Sequence, residues 1–142
     1  MRKKLEIAAD MSHFDQIRDL VEKELSNENC PADEVIMFLI SMEEIYSNIA
    51  FYAYPKEAGK AEIDWNFDSE KREAEICFSD RGKPYNPLEK PDPDLSLSAV
   101  DRPVGGLGIY MVKNSMDRVE YAYTGGRNIL TLRKKFGGRK NV

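Results

Sequence analysis

Cysteine, histidine and tryptophan are scarce in these 142 residues, which hold two, one and one of them. Cys30 and Cys77 lack the paired spacing of a zinc or redox motif. Two isolated thiols suit a reduced compartment, so a cytoplasmic location is expected. Cys77 lies in a mostly apolar stretch and reads as a small buried residue. No segment approaches the roughly 20 apolar residues of a membrane span. The opening MRKKLEIAAD lacks the apolar stretch of a signal peptide. Internal repeats and low-complexity tracts are also missing. Positive charge is short too: 21 Lys and Arg face 25 Asp and Glu, a net charge of -4. That excludes a general nucleic-acid binder, which needs clustered cations for phosphate. The one basic cluster, RKKFGGRKN, reads as a solvated end, with a basic tail at 137–142.

What remains fits a single domain over 1–142, with 42% apolar and 32% charged residues. KKLEIAA reads as a first strand. Ser12 is the expected N-cap of a helix through HFDQIRDLVEKEL, whose apolar residues fall at helical spacing. Pro31 and Asp33 open a longer helix to about Tyr54, and Pro55 stops it. Ala61 to Phe67 and Ala74 to Phe78 alternate apolar and polar residues around DSEKRE, a β-hairpin. Four of the seven prolines lie between Pro87 and Pro103. That stretch, about 87–104, is expected to be a loop acting as a lid. A glycine-led helix over 105–115 follows. Strands at 118–123 and 128–136 flank Thr124-Gly125-Gly126, a hairpin turn. The sum is an α+β two-layer sandwich, with about three helices on one face of a mixed, mostly antiparallel sheet of about five strands.

Three polar groupings stand out. Glu44 and Asn48 are spaced i, i+4 in VIMFLISMEEIYSNIAFYAYP, which puts them on one helix face. Met37, Ile40 and Phe51 fall on the same side, and burying an amide alone costs roughly 2–7 kcal/mol without a partner. The face therefore lines a site or is solvent-exposed, and the pair alone leaves both open. Asp80-Arg81-Gly82-Lys83-Pro84 follows the apolar EICF strand. It is either a simple turn or a carboxylate placed for a ligand amine, with Gly82 letting backbone approach a flat ring. Gly105-Gly106-Leu107-Gly108 opens a helix. It suits phosphate through free backbone N–H groups and the helix dipole, or serves as a hinge. It matches neither the GxxxxGK[ST] loop nor the dinucleotide fingerprint.

In their order and spacing, these groupings resemble the GHKL (Bergerat-fold) ATPase superfamily over residues 32–136. Glu44 to Asn48 looks like its N-box, DRGKP its first glycine box and GGLG its second. EEIYSNIAFYAYP, DRGKPYNP and GGLGIYMVKNSMDRVEY followed by NILTL are similar to segments of bacterial anti-sigma factor serine-protein kinases. The resemblance implies that Asp80 binds the adenine amine and that Asn48 holds Mg²⁺. Gly82, Pro84, Gly105, Gly106, Leu107, Gly108 and Ile109 would contact ATP, Arg102 would reach its terminal phosphate, and Glu44 would be the general base. It further implies a STAS-type anti-anti-sigma acceptor, a sigma factor as second partner, with Arg18 a candidate for that surface, and a homodimer. Neither nucleic acid nor membrane is expected as a partner. Where many members carry a histidine after the N-box, this chain has Tyr52. Its one histidine, His13 in SHFDQIR, is not in a phosphoacceptor box and reads as a surface residue. Two functions follow: a serine/threonine-protein kinase with anti-sigma activity, or a non-catalytic ATP-gated regulator. A small α+β enzyme without nucleotide is a third.

Overall fold

A computed structural model describes residues 2–54, 58–89, 91 and 107–137. Its strands are β1 (Lys3–Ala8), β2 (Lys60–Asp68), β3 (Glu73–Asp80), β4 (Arg118–Thr124) and β5 (Arg127–Lys135). Its helices are α1 (Phe14–Asn27), α2 (Ala32–Asn48) and α3 (Leu107–Ser115). The sheet order is β1-β2-β3-β5-β4. Every described pairing is antiparallel, so the expected α+β sandwich holds without a parallel strand pair.

Period-two alternation builds the sheet's two faces. Ala61, Ile63, Trp65 and Phe67 on β2, and Ala74, Ile76 and Phe78 on β3, are buried. They meet Ile17, Val21 and Leu25 of α1 and Phe38, Met42, Ile45 and Tyr46 of α2 in one core. The opposite face is laced by cross-strand ion pairs, among them Arg2 with Asp64 (2.5 Å), Arg133 with Glu75 (2.7 Å) and Arg127 with Glu62. Cys77 lies there, half-buried with its thiol 3.4 Å from Thr131 Oγ1, not in the core as expected.

Local chemistry sets the element ends. Ser12 does not cap α1: it sits in a short 3₁₀ turn at Met11–His13 and donates to Asp10 Oδ1 at 2.6 Å. α1 starts one turn-end later, at Phe14, with no side-chain cap. It closes with Asn29 at φ 58° and the Cys30 N–H bonded to Leu25 O at 3.1 Å, a left-handed C-terminal motif. α2 begins after Pro31, carries Asp33 and Glu34 in its first turn, and widens at Ile49–Ala53 into a π turn. Pro55 lies outside the described residues. Gly125 and Gly126, at φ 61° and 75°, form the two-residue hairpin turn between β4 and β5.

By length and composition alone, Ala32–Ala53 does reach what a membrane crossing needs, with 22 residues and mean hydropathy 1.2, against the sequence expectation. In the fold its inner face supplies the centre of the core.

Candidate nucleotide site

The site forms where α2 ends and where β3 and β5 meet the loop 81–87. Asp80 occupies the last position of the buried stripe Ala74, Ile76, Phe78 on β3. Asn128 occupies the first position of the stripe Leu130, Leu132 on β5 and lies in register opposite Asp80. Both are buried, and both border a pocket with Asn48, Ile49, Phe78 and Tyr121 on its wall.

Asn128 was not singled out in the sequence, yet it organises this pocket. Its Nδ2 donates to Asp80 Oδ1 (2.9 Å) and to Lys83 O (3.0 Å). Its Oδ1 accepts from the Tyr85 backbone N–H (3.0 Å) and from the Tyr121 hydroxyl. Two donors and two lone pairs are thereby all used. Asp80 Oδ1 also accepts the Gly82 N–H at 2.9 Å. With Oδ1 engaged twice, Oδ2 is the carboxylate oxygen left for a ligand. Burial pushes the Tyr121 hydroxyl above its usual range, which keeps it a donor toward Asn128. A period-two reading that noted a polar residue in an apolar strand stripe could have flagged Asn128. The cross-strand register was needed to pair it with Asp80.

Asn48 lines the same pocket, and its Nδ2 is buried without a partner. Among the described residues three other buried atoms share that condition, Ser41 Oγ, Arg72 Nε and Arg127 Nε, but none borders this pocket. An orphaned amide beside an anchored carboxylate is the mark of a ligand-binding wall. An amide also offers a neutral oxygen, the hard donor Mg²⁺ accepts alongside phosphate and water. No cluster of three or more His, Cys, Asp or Glu suited to a metal occurs among the described residues.

Gly82 is closely packed. A Cβ there would lie 2.2 Å from Ala53 O. The loop lies against the π turn, and Lys83 N–H donates to that same carbonyl at 2.9 Å. Pro84 is exposed and off the pocket wall. Tyr52 is 57% exposed and also off the wall.

Glu44 is half-buried but does not share Asn48's pocket. Its carboxyl lies against Gly108, in the first turn of α3. The helix face that carries Glu44 and Asn48 is partly open, since Ile40 is 44% and Phe51 66% exposed. The pair sits on the flank of α2, between core and solvent. Ile109 is buried behind it, and Leu107 opens α3. Arg102, Gly105, Gly106 and most of the expected lid lie outside the described residues. His13 is a half-buried residue beside Asp10, with Nδ1 2.7 Å from Oδ1.

An open antiparallel sheet lies under three helices, with a strand-end aspartate and a helix-end asparagine on one pocket. The chain belongs to the histidine kinase-like ATPase domain family, whose model matches residues 7–134. Among curated relatives it is similar to the serine/threonine-protein kinase BtrW of Bordetella bronchiseptica, at 29% identity over 90 residues. That match covers 63% of this chain and 63% of the relative, less than two thirds of its length. Among solved structures the fold matches the RsbU and RsbW domains of Rv1364c from Mycobacterium tuberculosis, with a TM-score of 0.66 and 12% identity. The match covers 98% of this chain and 34% of that one.

Proposed function

We propose that the chain is an ATP-dependent serine/threonine-protein kinase and anti-sigma factor of the cytoplasm. Its acceptor would be a STAS-type anti-anti-sigma protein, its second partner a sigma factor, and its working form a homodimer. The observation that carries this reading is the pocket shared by anchored Asp80 and orphaned Asn48. Asp80 Oδ2 accepts a hydrogen bond from the adenine amine. Gly105, Gly106 and the start of α3 receive the phosphates, and Arg102 the terminal one. Asn48 Oδ1 would hold Mg²⁺, whose chemistry there would be charge neutralisation. Glu44 takes the proton from the incoming hydroxyl as its oxygen bonds to the γ-phosphorus. The bond from that phosphorus to the β,γ-bridging oxygen breaks, leaving phosphoserine and ADP.

The test is incubation with Mg-ATP and STAS-domain proteins of the same organism. Phosphoserine on the acceptor, lost with Glu44→Ala, is the expected result. ATP binding without any transfer would favour the non-catalytic ATP-gated regulator. A flat calorimetric titration with both Mg-ATP and Mg-ADP would remove both readings.

A further inference from the structure

We infer that Gly108 is a positioning residue for Glu44: its missing side chain seats the carboxylate, a role separate from its backbone's place at the phosphates. The inference rests on the kinase reading above. A Cβ on Gly108 would meet Glu44 Oε1 at 2.1 Å, Cδ at 2.3 Å and Oε2 at 2.7 Å. Its three nearest neighbours are thus the atoms of one carboxyl group. The backbone does not demand glycine here, because among the described glycines only Gly125 and Gly126 have positive φ. Glycine in a helix is disfavoured by about 1 kcal/mol relative to alanine. Space for the Glu44 carboxyl is therefore the local reason for glycine at 108.

The contrast with Gly82 sharpens the point. There the added methyl would strike the backbone carbonyl of Ala53, which cannot move cheaply. At Gly108 it would strike the end of a flexible side chain, which rotates away. Gly108→Ala should therefore fold normally and displace the carboxylate. A base moved from its proton loses rate, since general-base efficiency depends on hydrogen-bond reach. α2 and α3 pack against each other along this line, so no other element intervenes between the two residues.

The experiment compares wild type, Gly108→Ala, Glu44→Asp and the double variant. Each is assayed for ATP affinity by calorimetry, melting temperature, and kcat and KM for phosphoryl transfer from Mg-ATP to a STAS-domain protein of the same organism. Gly108→Ala should lower kcat about tenfold or more while ATP affinity and melting temperature hold. Glu44→Asp withdraws the carboxylate by one methylene, so the double variant should be faster than the product of the two single effects. An ATP affinity that falls as far as kcat, or an unchanged kcat, overturns the seating role and leaves the kinase reading standing. A wild type that binds ATP and transfers nothing removes the kinase reading, and the inference with it.

Discussion

β3 and β5 run side by side from Arg72 and Gly137 at one end to Asp80 and Asn128 at the other, and both ends bury polar side chains. At the first end, Arg72 Nη1 donates to Glu28 O at 2.6 Å and Nη2 to Gly137 O at 3.0 Å. Its guanidinium also lies over the Phe67 ring, 5.8 Å from the centroid. Those contacts tie the β2–β3 turn to the α1–α2 loop and to the exit of β5. At the second end, Asn128 uses every polar atom of its side chain, while Asn48 Nδ2 has no partner and Asp80 Oδ2 accepts no hydrogen bond among the described residues. Buried polarity closed on protein partners gives stability and fixed geometry. Buried polarity left facing a pocket gives recognition. On the proposed reading, Asn128 does the first job so that Asp80 can do the second.

Variants at the two ends should separate these roles. The largest effect is expected at the site end, where Glu44→Gln should cut phosphoryl transfer by about 10²-fold or more. Its ATP affinity in calorimetry should match wild type, and a matched loss of affinity would contradict the proton-transfer role. Next comes Arg72→Met at the closed end. Two carbonyls lose a charged donor, at about 1.5–3 kcal/mol each at most. A melting temperature lower by roughly 10 °C is expected, with ATP affinity of the folded protein unchanged. Lost affinity without lost stability would erase the contrast between the ends.

Asn128→Leu should blur the contrast, because it frees Asp80 and strands Lys83 O and the Tyr85 N–H. ATP binding about tenfold weaker, with stability lower by about 1–2 kcal/mol, is the expected pairing. The smallest effect belongs to Tyr46, remote from the pocket wall. Its hydroxyl donates to Ala8 O and Asp10 O, both at 2.8 Å, and burial pushes it up to about 12. The folded protein holds this proton more tightly than the unfolded chain, whose phenol titrates near 10. Its share of stability is therefore whole below pH 10 and fades as pH rises toward 12. Tyr46→Phe should lose about 1 kcal/mol at neutral pH. Its stability should also lack that alkaline decline in denaturant melts, and an unaltered decline would place its origin elsewhere.

Much of this was visible in the residues. Alternation over 61–67 and 74–78 marked the central hairpin, and two glycines at positive φ turned β4 into β5 as their position implied. Asp80 and Asn48 were visible as polar residues out of place in apolar runs. The burial of Cys77 was misjudged because composition does not show which face of an element its neighbours cover. Ser12 failed as a cap because Asp10 takes its hydroxyl, a local competition that capping preference alone does not register.

Chain order and periodicity set the secondary structure, the α+β class and the placing of polar residues at element ends, because those follow from local backbone and side-chain preferences. Packing alone decided that Asn128 lies opposite Asp80, that Gly82 yields space to Ala53, and that Gly108 yields it to Glu44. Each of those depends on the register and spacing of elements distant in sequence, and such contacts exist only once the sheet and the helix layer have closed on each other.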